Sequence, residues 1–94
     1  MQVMEQITLR LTATGREEAV AALAGHLEGL RGEFELLGIR LYRHAAVETD
    51  LSVILECDYH GPLPSEPALR LAAGLRSLGI VHHSSWYLTE SWRR

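Results

Sequence analysis

Residues 35–60, ELLGIRLYRHAAVETDLSVILECDYH, hold two runs of alternating apolar side chains separated by a short break. In residues 35–45 Leu37, Ile39 and Leu41 recur at every second position, and in residues 51–60 Leu51, Val53 and Leu55 do the same. A period of two is that of a strand with one face buried. The "VETD" between the runs turns the chain, so the pair predicts an antiparallel hairpin.

On its N-terminal side the period changes. Val20, Leu23, Ala24, Leu27 and Leu30 follow helical spacing, with Thr14 and Glu17 placed as a capping box and Gly32 as a stop. Gly25 and Gly29 each weaken this helix by about 1 kcal/mol relative to alanine. They either admit a close neighbour or leave the helix to be held by tertiary packing. Before it, residues 3–13 alternate as a half-buried strand, Ile7, Leu9 and Leu11 against Thr8, Arg10 and Thr12. After the hairpin, "GPLPSEP" is a loop ending in a Ser65 cap. A second helix follows, with the stripe Ala68, Leu71, Ala72, Leu75 and Leu78 and a stop at Gly79. Residues 81–91 read as a fourth strand.

The order β-α-β-β-α-β predicts an α+β, ferredoxin-like sandwich made of one domain, residues 1–94. A right-handed crossover sets strands 1 and 2 parallel with strand 3 between them, giving the spatial order 4-1-3-2. Both helices then lie on one face of the sheet, and the other face is bare. A bare face must be polar or covered by a partner.

Composition narrows the function. Ninety-four residues suffice for one core, and so small a domain gains by burying more surface against a copy of itself. A net charge of −3 and no basic stripe argue against nucleic acid. The longest apolar run, "AVAALA" (19–24), is too short to span a bilayer. The start "MQVMEQ" lacks the pattern of a secretory signal, and the single cysteine, Cys57, excludes an internal disulfide. A cytoplasmic location is the expectation.

In length and element order the chain resembles the dimeric α/β-barrel superfamily, and more loosely its antibiotic-biosynthesis-monooxygenase branch. The resemblance rests on layout over nearly the whole chain. It implies two sheets paired face to face around a pocket on the side away from the helices. Among such proteins are cofactor-free oxygenases of aromatic polyketides, haem-degrading enzymes and many proteins without known activity. In that branch an acidic-aromatic stretch after the third strand commonly leads into a helix with a histidine. Here "LECDYHGPLPSEPALRLAAGLRSLG" (55–79) has no tryptophan and no histidine inside the helix, so no catalytic residue carries over. ACT-type regulatory domains share the strand order, so layout alone does not choose an enzyme.

Five histidines invite a metal reading, but their positions oppose it. His82 and His83 are neighbours on a strand and point to opposite faces. His26 and His60 are scattered, and His44 lies on the far edge of the sheet, roughly 14 Å from the pair. A zinc site needs three or four converging ligands. No metal and no cofactor are expected within one subunit, and Cys57 belongs to the apolar set of its strand.

The bare face holds the better candidates: Arg10 on the first strand, Arg40, Tyr42 and His44 on the second, and Glu56 on the third. Glu56 is expected between Arg10 and Arg40. As a ligand site, an arginine would bind a carboxylate or phenolate, Tyr42 would orient it, and His44 or Glu56 would move a proton. As a structural feature, the same residues are a row of cross-strand ion pairs. On the fourth strand the even set (His82, Ser84, Trp86, Leu88) is the more apolar, which predicts Trp86 under the helices and leaves Trp92 as an interface anchor. The expected partners are a second copy of the chain and a small molecule, with neither nucleic acid nor membrane. Three function classes stay open: a homodimeric small-molecule-pocket protein of unassigned activity, a cofactor-independent monooxygenase-like enzyme acting on a small aromatic compound, and a non-catalytic binding or assembly module.

Overall fold

The computed structural model describes residues 2–12, 16–33 and 36–93. Its elements are β1 (Gln2–Leu11), α1 (Arg16–Leu30), β2 (Leu36–Arg43), β3 (Asp50–Asp58), α2 (Glu66–Leu75) and β4 (Gly79–Tyr87). The strands form one sheet in the order β2-β3-β1-β4, with every neighbouring pair antiparallel. Read from the other edge this is 4-1-3-2, the ferredoxin-like arrangement. The Thr14 cap falls outside the described residues.

Alternation in β1 and β3 builds the core. Val3, Ile7, Leu9 and Leu11 are buried on one side of β1, opposite Cys57, Val53, Leu51 and Thr49 or their neighbours on β3's side of the ladder. Leu55 completes the β3 set, and Leu23, Leu30, Ala68, Leu71, Ala72 and Leu75 cover it from the helices. Each large aliphatic side chain taken wholly out of water contributes about 1.5–3 kcal/mol before chain entropy is counted. The α2 stripe is buried from Ala68 to Leu75, and Ser65 caps the helix by accepting from the Ala68 amide. On α1 the buried stripe is narrower than expected. Leu23 and Leu30 are buried, Val20 and Leu27 partly so, while Ala24 is exposed and Ala19 packs against the core instead.

Two side chains on the strands depart from the expected faces. Leu37 is 62% exposed because β2 carries an irregularity between Leu36 and Gly38: Leu36 pairs with Cys57 and Gly38 with Glu56, leaving Leu37 as the extra residue. Trp86 is the second. The β1–β4 register sets His83 opposite Ile7 and Val81 opposite Leu9, so the odd set of β4 faces the helices. Trp86, opposite Met4, lies on the bare face and is 53% exposed. On this edge strand the helix side is occupied by His83 and Ser85, which serve a polar cluster, so counting apolar residues misreported the buried face. β4 also begins earlier than expected. Gly79 already pairs with Leu11, and past Tyr87 the Leu88 amide still donates to the Gln2 carbonyl at 3.0 Å.

Candidate functional site

All four strands contribute to the bare face. The ladder brings Gln6, Thr8 and Arg10 of β1 beside Ser52 and Ile54 of β3, with Tyr42 of β2 on one flank and Ile80 and His82 of β4 on the other. A hollow of about 400 Å³ runs across this end of the sheet, walled by Gln6, Thr8, Leu9, Arg10, Tyr42, Arg43, His44, Asp50, Leu51, Ser52, Ile80 and His82. The hollow is a trough that spans the sheet from edge to edge, so His44 and His82 wall it from opposite sides. Among the described residues no group of three or more His, Cys, Asp or Glu is placed to hold a metal ion.

Of the residues singled out in the sequence, Arg10, Tyr42 and His44 wall this hollow. Arg40 and Glu56 are not in its wall and form a pair further along the face, with Arg40 Nη2 3.6 Å from Glu56 Oε1. Glu56 does not lie between the two arginines. The register puts it opposite Met4 and Gly38, whereas Arg10 stands opposite Asp50. Arg40 is held protonated more firmly than an isolated guanidinium by Tyr42 and then by the charge of Glu56.

Arg10 has a partner that sequence reading did not assign. Its Nε donates to Asp50 Oδ1 at 3.0 Å and its Nη2 to Oδ2 at 3.2 Å, a two-pronged clamp across the β1–β3 ladder. The hydrogen bond from Arg10 holds the Asp50 carboxyl below its ordinary value, helped by Arg10's charge, a hydrogen bond from Thr49 and the charge of His44. A depressed carboxyl stabilises the fold above its unfolded value of 3.8 and loses that contribution as pH falls through the folded value. The difference in urea stability between wild type and Asp50→Asn is therefore expected to be constant above about pH 5. It should shrink progressively below about pH 4 and vanish in strong acid. Unfolding curves at several pH values read this directly, and a gap that widens in acid would contradict it. Gln6 adds a further cross-strand bond, its amide nitrogen donating to Ser52 Oγ at 3.2 Å.

A second polar centre lies on the helix side of the sheet. Glu5 is fully buried. Its carboxylate accepts from Ser65 N at 2.8 Å, from the Ser65 hydroxyl, and from Ser85 Oγ at 3.3 Å. His83 Nε2 is 3.4 Å from Glu5 Oε1 but off the hydrogen-bonding direction, and it has no hydrogen-bond partner among the described residues. Ser65 is also the cap of α2, so one carboxylate ties the start of that helix to β1 and β4. The signal for Glu5 was available: counting back by twos from Ile7 puts it on the buried face. The signal for Ser65 as its partner was not, since the two are sixty positions apart.

No protein-family model matches the chain, and no curated protein does. Solved structures do. SnoaB, a cofactor-independent oxygenase from Streptomyces nogalater, superposes with a TM-score of 0.79 at 14% identity, over 99% of this chain and 98% of that one. Rv0793 from Mycobacterium tuberculosis gives 0.75 at 15% identity, covering 97% and 98%. An antibiotic biosynthesis monooxygenase gives 0.73 at 12% identity, covering 94% and 99%. The likeness is one of fold along the whole chain.

Proposed function

We propose that this chain, on the fold it shares with those oxygenase and monooxygenase structures, is a homodimer that closes the bare faces of two sheets over a small-molecule site. The observation that carries this reading is the trough itself: about 400 Å³, within the size of small-ligand pockets, on a sheet face that no helix covers. Around it the exposed side chains are those of an interface core, with Trp86, Ile80 and Tyr42 all half exposed. Leu88 and Trp92, the latter 82% exposed, follow in the chain after β4. A second copy would cover this surface and turn an open trough into an enclosed site. There, low dielectric strengthens each hydrogen bond to a ligand.

Sedimentation velocity at micromolar concentration tests the dimer. Wild type should run as a species of twice 10.5 kDa. Trp86→Arg places a charge on the proposed interface and should yield a folded monomer. A wild-type monomer, or a Trp86→Arg protein that still dimerises, would count against this face as the interface.

A catalytic reading, oxygenation of a small aromatic compound without a cofactor, is favoured by one observation: SnoaB, a cofactor-independent oxygenase, shares the fold from end to end. The trough's wall supplies hydrogen-bonding groups, among them Gln6, Thr8, Tyr42, Ser52 and His82, that would orient such a compound. Oxygen consumption on adding a candidate aromatic substrate separates an enzyme from a binding module.

A further inference from the structure

His44 opens the loop between β2 and β3, which is closed by backbone bonds from His44 N to Asp50 O at 2.9 Å and from Asp50 N to Val47 O at 3.1 Å. Inside it, the His44 ring accepts two hydrogen bonds at one atom. The Ala46 and Val47 amides both donate to Nδ1, each at 3.0 Å. A nitrogen that receives two N–H groups must present its lone pair, so the neutral ring carries its hydrogen on Nε2. The same ring is part of the trough wall. The loop thus sets the ring's orientation and its tautomer together.

Two of the neighbouring arginines already have acidic partners. Arg10 is clamped by Asp50 within the wall, and Arg40 is paired with Glu56 outside it. From the two amide bonds at Nδ1 we propose that His44 acts in the trough as a fixed hydrogen-bond donor through Nε2, toward a ligand that presents an acceptor oxygen, such as a ketone. The proposal rests on the trough being a ligand site. It also removes one chemical role: the ring nitrogen that could take a proton is turned to the loop amides, so His44 is not a general base toward a ligand here. A neutral imidazole that donates is a recognised way to polarise a carbonyl.

Two measurements test this. Long-range 1H–15N correlation of the histidine rings, at about pH 8.5 and so above the usual histidine range, should show Nε2 protonated and Nδ1 bare for His44. A protonated Nδ1, or rapid exchange between the two forms, overturns the assignment. The second is an NMR titration with 1-tetralone, which has a carbonyl, and with tetralin, which lacks one. His44→Asn keeps an acceptor for the Ala46 and Val47 amides but has no donor at the Nε2 position. It should weaken 1-tetralone binding about fivefold to tenfold and leave tetralin unchanged. His44→Gln, whose amide nitrogen reaches that position, should recover part of the loss. Equal losses for both compounds, or none for either, overturn the donor role. If neither compound perturbs the trough residues of the wild type, the ligand-site reading itself fails, whatever the tautomer of the ring.

Discussion

Glu5→Ala is expected to destabilise the protein by about 3–5 kcal/mol, a large share of the total stability of a domain this small. The reason is what the carboxylate leaves behind. Removing it strips the buried Ser65 amide and hydroxyl, and the half-buried Ser85 hydroxyl, of their acceptor. Each buried group left without a partner costs about 1–3 kcal/mol. Losing the Ser65 hydroxyl instead, by Ser65→Ala, should cost only about 1–2 kcal/mol, the usual value of a helix cap. Because the two side chains share a bond, the double variant should lose less than the two single losses combined. Urea unfolding followed by circular dichroism measures all three. A Glu5→Ala loss below about 1 kcal/mol would mean that the cluster is solvated and does not hold α2.

Gly79→Ala is expected to be comparably damaging for a different reason. A Cβ built on Gly79 would fall 2.0 Å from the Arg10 carbonyl oxygen and 3.0 Å from Leu11 Cα. Both are backbone atoms of β1, so no side chain can swing aside. Relief requires β4 to move away from β1 where Gly79 pairs with Leu11, and the expected cost is about 3 kcal/mol or more. Gly29→Ala is the control. Its Cβ would meet nothing within 4 Å, and alanine favours the helix, so a small gain of up to about 1 kcal/mol is expected. Comparable losses at the two positions would show that the close approach at Gly79 is not what matters.

The architecture was legible because β1, β3 and α2 each carry one clean period. Ile7, Leu9 and Leu11, then Leu51, Val53 and Leu55, then Ala68, Leu71, Ala72 and Leu75 are all buried as their spacing predicts. Periodicity fails where an element lies at the margin of the core. β4 is an edge strand whose inward positions include His83 and Ser85, so its faces cannot be ranked by hydrophobicity. Leu37 breaks its pattern because an extra residue at Leu36–Gly38 shifts the register, and Gly38, a glycine inside a strand, is its one local sign. The candidate site divides in the same way. Which residues share the bare face follows from parity alone. Which of them meet depends on register, and register puts Asp50 rather than Glu56 against Arg10. The direction of a ring nitrogen, on which the role of His44 turns, comes from loop amides two and three residues on and has no counterpart in sequence pattern.

That two copies of this chain enclose a ligand site is tested most directly by a native mass spectrum of the protein as purified, set against a denatured one. The expected result is a dimer of twice 10.5 kDa carrying an organic adduct that is lost on denaturation, or one that acquires such an adduct when 1-tetralone is added. A monomer of 10.5 kDa, or a dimer that takes up no small aromatic compound, would contradict it.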